Sequence, residues 1–161
     1  PHQLDDVDGL IIPGGESTTI VQLIDIYGFR ETLEGKVASG MPVWGTCAGM
    51  IVLAERLTEH RPEPLHLMNI TVSRNAFGRQ VDSFEADLNF SDLEGPPFHA
   101  VFIRAPVVTE MGEGVRSLAT LDNGRPVAVR QENLLATAFH PELTDDTRIH
   151  ELFVRIVEDT N

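Results

Sequence analysis

The 161-residue sequence has one cysteine, one lysine, one tryptophan and one tyrosine, and each scarcity excludes something. A lone cysteine, Cys47, cannot close an intrachain disulfide, so the fold must rest on its core. One lysine, Lys36, among twelve basic residues and against twenty-five acidic ones leaves a formal charge of −13. Such a balance excludes the basic face that a nucleic-acid binder needs. Abundant carboxylates with arginine in place of lysine suit a protein kept soluble in high salt, and a genome rich in G and C has the same effect on the Arg/Lys ratio. No apolar run approaches the ~20 residues of a membrane-spanning helix, and the N-terminus lacks the basic-then-apolar pattern of a signal peptide. The expectation is a cytoplasmic protein with no membrane segment. Apolar residues at 42% exclude a disordered chain, and the length fits one domain over residues 1–161.

The apolar residues are arranged as an α/β pattern. Leu10-Ile11-Ile12 is a short run closed by Pro13-Gly14-Gly15, which predicts a buried parallel strand ending in a tight loop. Ile20, Leu23, Ile24 and Tyr27 fall on one helical face, with Ser17 or Thr18 able to cap its start and Gly28 at its end. Phe29, Leu33 and Val37 predict a second helix. Met41–Trp44 predicts another strand, followed by a helical stretch through Met50, Ile51, Leu53, Ala54 and Leu57. Between 60 and 97 the pattern is irregular, with a strand at Ile70–Ser73 and a weakly patterned piece at Phe84 and Leu88. Phe98–Ile103, Val115–Leu121, Val127–Arg130 and Leu134–Phe139 predict further strands, two of them joined by the turn Asp122-Asn123-Gly124. Ile149, Leu152, Phe153 and Ile156 mark a last helix, with Thr144 or Asp145 as its cap. Parallel strands come early and hairpins late.

Three short segments carry chemistry. Gly45-x-Cys47-x-Gly49 lies between a predicted strand and a predicted helix and has the form of a nucleophile elbow. A helix starting there aims N–H groups at the sulfur, which favours a thiolate and a developing oxyanion. His140-Pro141-Glu142 follows a strand. Residues two apart on an extended chain point the same way, so Glu142 can orient His140 while His140 takes the Cys47 proton. Pro13-Gly14-Gly15-Glu16-Ser17 precedes a helix and lacks the Gly-Lys-Ser/Thr ending of a phosphate loop. It fits an oxyanion hole instead, with an N–H of Gly14 or Gly15 joined by that of Ala48. The remaining histidines show no metal spacing, so neither metal nor cofactor is expected. Arg74 and Arg104 are candidates to grip a substrate carboxylate, although spacing alone favours plain surface arginines.

With these residues in view, the chain resembles the glutaminase subunit of pyridoxal 5′-phosphate synthase, a class I glutamine amidotransferase. The resemblance rests on Leu10–Thr19, Gly45–Ile51, Arg74–Glu85, Phe102–Pro106 and Ala138–Leu143, and it runs in the family's order over nearly the whole chain. The elbow and the His-x-Glu mark the superfamily; the runs through Glu16 and Arg74 are the more specific. The resemblance implies a three-layer fold with a central, mostly parallel sheet flanked by helices. It implies a triad of Cys47, His140 and Glu142, and glutamine contacts from Gly15, Glu16, Ser17, Arg74, Ile103 and Arg104. It also implies that ammonia passes through a tunnel to a (β/α)₈ synthase subunit in a large hetero-oligomer, with weak activity before docking. The family's first strand and helix, with their Leu-Gln-Gly motif, have no counterpart in the sequence, so the domain is expected to be N-terminally truncated relative to the family. Other readings share these residues: an amidotransferase of another pathway, a cysteine hydrolase of the intracellular-protease kind, and a catalytically weak docking subunit.

Overall fold

The computed structural model describes residues 1–74 and 82–160. Residues 75–81, the middle of the arginine-bearing run, lie outside the described residues. After a 3₁₀ turn at His2–Asp6 the order is β1 (Leu10–Ile12), α1 (Ser17–Ile26), α2 (Phe29–Ala38), β2 (Val43–Thr46), α3 (Ala48–Leu53), β3 (Ala54–Leu57) and β4 (Met68–Ser73). Then follow β5 (Ser83–Leu88), β6 (Phe98–Ile103), β7 (Val107–Met111), β8 (Arg116–Thr120), β9 (Pro126–Gln131), β10 (Leu134–Thr137) and α4 (Arg148–Thr160).

Five strands form the central sheet in the order β1-β2-β10-β9-β8. β1, β2 and β10 are parallel, while β9 and β8 continue the sheet antiparallel. β1 and β2 are parallel, as the early part of the sequence predicts, but the last strand, β10, is parallel to β2 as well as antiparallel to β9. Ile12 and Ala136 both stand beside Gly45, so the three parallel strands end level with one another. Successive residues of a strand face opposite sides, and β2 shows what each side carries. Trp44, 1% exposed, packs against Phe153 and His150 of α4. A Cβ on its neighbour Gly45 would fall 2.4 Å from the backbone oxygen of Gly49 in α3. The sheet is therefore a middle layer, with α4 on one face and α3 on the other. The Trp44 indole N–H donates to Thr137 Oγ1 at 3.1 Å, so the buried ring leaves no donor unpaired.

Two smaller sheets, β3-β4-β7 and the hairpin β5-β6, complete the fold. The hairpin is tied to the central sheet by aromatic rings. Phe139, just past β10, packs at 5.8 Å from Phe98 and 5.4 Å from Phe102, both on β6. Such pairs add about 0.5–1.5 kcal/mol each beyond the area they bury. At the opposite edge β1 pairs, among the described residues, with β2 alone, and an apolar groove of about 350 Å³ runs beside it, lined in part by Leu10, Ile12, Ile20, Ile24 and Leu33.

The structure corrects several local expectations. Helix α3 stops at Leu53, and Ala54–Leu57 is a strand paired parallel to β4, because pairing overrides the helical spacing of its apolar residues. Residues 107–111, unassigned by pattern, pair antiparallel with β4. The weak piece at Phe84 and Leu88 is a full strand. Helix α1 is capped by Glu16, whose carboxylate accepts from the N–H groups of Thr18 and Thr19, rather than by Ser17 or Thr18. At the start of α4 the Arg148 N–H donates to Asp146 Oδ1, in place of the expected Thr144 or Asp145. No helix among the described residues is long and apolar enough to cross a membrane.

Candidate active site

Cys47 sits where β2 turns into α3, with φ 50° and ψ −106°. A non-glycine residue rarely holds a positive φ, and strain of this kind costs about 1–3 kcal/mol. The flanking glycines, Gly45 and Gly49, have no positive φ. Instead Cys47 itself carries the unusual dihedral, and the glycines permit close approach. A Cβ on Gly45 would clash with the Gly49 backbone, and one on Gly49 would lie 2.1 Å from the Ile12 carbonyl oxygen. The turn is pinned by the Cys47 N–H, which donates to Thr137 O at 2.8 Å. The thiol, in a residue only 8% exposed, reaches the Ile103 carbonyl at 3.8 Å.

His140 follows β10, the strand beside β2, and its N–H donates to Val101 O of β6 at 2.9 Å. Its Nδ1 lies 2.7 Å from Glu142 Oε1. The contact expected from an extended chain is made differently, since Pro141–Leu143 is a 3₁₀ turn that curls the carboxylate back onto the ring. With Nδ1 turned to the carboxylate, Nε2 is the nitrogen left for the sulfur. The hydrogen bond to Cys47 is the largest cause holding the His140 pKa up at about 9; Glu142 adds to it and burial opposes it. The imidazole is therefore cationic at neutral pH.

Gly14 closes this group from β1. A Cβ there would fall 2.6 Å from His140 Cε1 and 3.5 Å from Cys47 Cβ, so a side chain would displace the imidazole. Gly15 has φ 146°, a conformation that favours glycine. Ala48 opens α3, whose first N–H groups have no acceptor within the helix. Gly14 and Ala48 thus place main chain beside Cys47.

The other expected residues form a second group. Glu16 is held near pKa 2, chiefly by the backbone N–H of Thr19, and takes an Arg74 Nη2 contact at 3.3 Å. Ser17 is 3% exposed, and its hydroxyl has no hydrogen-bond partner among the described residues. Ile103 reaches the sulfur through its carbonyl, not its side chain. Arg104, with φ 45°, turns an exposed guanidinium toward Asp82 at 3.4 Å. No contact joins either guanidinium to Cys47 or His140 among the described residues. Pattern reasoning had no means to find three supports: the carbonyls of Val101 and Thr137, and Glu59, whose Oε1 accepts from the Arg74 N–H at 2.9 Å. Main-chain acceptors carry no residue-type signal, and Glu59 stands in no motif.

A strained cysteine at a strand end, an imidazole on a neighbouring parallel strand and a glycine loop between them form the arrangement of a cysteine-dependent acyl transfer. Comparison with known proteins shows the family. The SNO glutamine amidotransferase family matches residues 1–159. The chain belongs to that family. Among its amidotransferase relatives, the pyridoxal 5′-phosphate synthase subunit PdxT of Herpetosiphon aurantiacus is 59% identical over 157 residues, covering 96% of this chain and 83% of the relative. The PdxT of Corynebacterium jeikeium is 54% identical over 159 residues, covering 98% and 81%. A crystal structure described as a glutamine amidotransferase superposes with a TM-score of 0.91 at 46% identity, covering 98% of this chain and 82% of that one. In this amidotransferase no group of three or more His, Cys, Asp or Glu among the described residues is placed to hold a metal.

Proposed function

We propose that Cys47, His140 and Glu142 act as the triad by which this amidotransferase hydrolyses L-glutamine to glutamate and ammonia. The overall activity follows the family: the chain is a glutaminase that supplies ammonia for pyridoxal 5′-phosphate synthesis. The observation that supports the triad is the juxtaposition around Gly14: a Cβ there would lie 2.6 Å from His140 Cε1 and 3.5 Å from Cys47 Cβ, with Glu142 on His140 Nδ1 at 2.7 Å and the strained turn holding Cys47.

In this reading the proton of the Cys47–His140 pair rests on His140, and the Cys47 thiolate attacks the amide carbon. The oxyanion of the tetrahedral intermediate lies among the N–H groups of Gly14, Gly15 and Ala48. The His140 imidazolium, oriented by Glu142, gives its proton to the nitrogen as the C–N bond breaks, and ammonia leaves. Water, deprotonated by His140, cleaves the glutamyl thioester and restores the thiol. Glu16, Ser17 and Arg74 on one side and Ile103 with Arg104 on the other would hold the glutamine. Residues 1–161 act as one glutaminase unit. It works with a synthase subunit, and the assembly is a large hetero-oligomer into whose (β/α)₈ partner the ammonia passes.

The test compares glutamine hydrolysis by wild type and Cys47→Ala, each with and without the synthase subunit. Wild type should be weak alone and stimulated by the partner, and the variant should be inactive in both. Equal rates in wild type and Cys47→Ala would overturn the mechanism.

A further inference from the structure

The β3–β4 connection offers a residue that the reaction scheme leaves out. Glu59 lies in that connection, and its Oε1 accepts from the Arg74 N–H at 2.9 Å and from the Ser73 hydroxyl at 3.3 Å. Both donors belong to the end of β4, where the ladder stops and the Arg74 N–H needs an acceptor from elsewhere. The side chain of Arg74 is held from two further points. One guanidinium N–H donates to Arg61 O at 2.8 Å, in the same connection as Glu59, and Nη2 meets Glu16 Oε1 at 3.3 Å. Glu16 in turn caps α1 beside Gly14 and Gly15. The connection is itself anchored, because Arg30 of α2 donates to Pro64 O at 2.8 Å and Glu63 O at 3.2 Å. Arg74 therefore spans from an anchored loop to the helix cap at the edge of the glycine loop. Glu59 fixes where that span begins.

The other carboxylate oxygen of Glu59, Oε2, is buried with no partner among the described residues. Leaving a buried acceptor unpaired costs about 1–3 kcal/mol. The arrangement suits a residue kept for where it places something else.

We propose that Glu59 is a positioning residue for Arg74: by holding the Arg74 backbone at the end of β4 it aims the guanidinium at the α-carboxylate of bound glutamine. This rests on the reading that Arg74 contacts that carboxylate. The guanidinium fork has donors beyond those given to Arg61 and Glu16, and a planar fork grips a carboxylate only when its plane is set in advance.

The experiment measures kcat and KM for glutamine, with the synthase subunit present, for Glu59→Ala, Glu59→Gln and Arg74→Ala. The rate at which iodoacetamide, which lacks the α-carboxylate, alkylates Cys47 is followed in each. Glu59→Ala should raise KM about tenfold with kcat within about twofold of wild type. Glu59→Gln keeps an oxygen acceptor for the Arg74 N–H and should restore KM to within about threefold. Alkylation should be unchanged in all three, which separates a positioning role from general loosening of the fold. If Arg74→Ala raises KM and Glu59→Ala does not, or if Glu59→Ala changes alkylation as much as KM, the positioning role is wrong while the Arg74 reading stands. If Arg74→Ala leaves KM unchanged, the Arg74 reading itself fails and the proposal falls with it.

Discussion

β1, β2 and β10 run side by side in one direction, so their C-terminal ends emerge on the same edge of the sheet. β5 and β6 run against each other outside that sheet. Both regions reach Cys47, but they bring different things. The parallel strands deliver turns and side chains: Gly14 after β1, Cys47 after β2, His140 after β10. The hairpin delivers main chain, with Val101 O on the His140 N–H and Ile103 O on the thiol. Level strand ends in a parallel sheet make a natural gathering place for reactive groups. An antiparallel hairpin offers acceptors that do not depend on which side chain is present. Substitutions should therefore be severe in the first region and mild in the second.

The largest effect should come from Gly45→Ala. The added Cβ meets backbone, not a movable side chain, so the turn must shift. A loss of about 3 kcal/mol is expected, read from the denaturant midpoint, together with loss of glutaminase activity. Next comes Glu142→Gln, which keeps the shape but removes the charge facing His140. A loss of about 100-fold in kcat is expected, within the usual range for acid–base roles. The pH dependence sharpens this. His140 is raised from its ordinary 6.5 to about 9, by Cys47 first and Glu142 in addition. A raised pKa gives stability that is fully present below pH 6.5 and lost as pH rises through about 9. Unfolding free energy should fall across that window in wild type and fall less in Cys47→Ala. The alkaline limb of kcat/KM should likewise move to lower pH in Glu142→Gln.

Smaller effects test the hairpin side. Ile103→Ala leaves its carbonyl in place and removes a side chain that is 41% exposed. Less than about a threefold change in kcat is expected, in line with the mild effects of substitutions at exposed positions. A loss as large as that of Glu142→Gln would break the comparison. The smallest change is Ile11→Lys on the edge of β1 that has no partner strand among the described residues, where a charge blunts edge-to-edge pairing. Stability should stay within about 0.5 kcal/mol, while light scattering should report less self-association.

β1, β2 and the elbow were legible because each combines an apolar run with a glycine turn, two signals that agree, whereas the parallel pairing of β10 with β2 was not. Leu134–Phe139 was legible from its apolar run alone, and the strand ends earlier, at Thr137. The rest was hidden by two physical causes. Ala54–Leu57 carries apolar residues at helical spacing, and only its pairing with β4, far along the chain, makes it a strand. Glu142 was placed beside His140 by an argument from extended chain, yet the contact depends on a 3₁₀ turn that Pro141 begins. Right partners were reached there by the wrong local geometry. The supports from Val101, Thr137 and Glu59 depend on tertiary placement alone.

The dihedral of Cys47 has one more consequence. The strain in the elbow rests on the reactive residue, while the two glycines that could absorb it lie on either side in relaxed conformations. Selection for stability alone would put a glycine at position 47, where a φ of 50° costs nothing. The thiol is thus held in a sprung turn, and the rest of the fold, above all the packing of Phe139 and Trp44, must be strong enough to keep that spring closed.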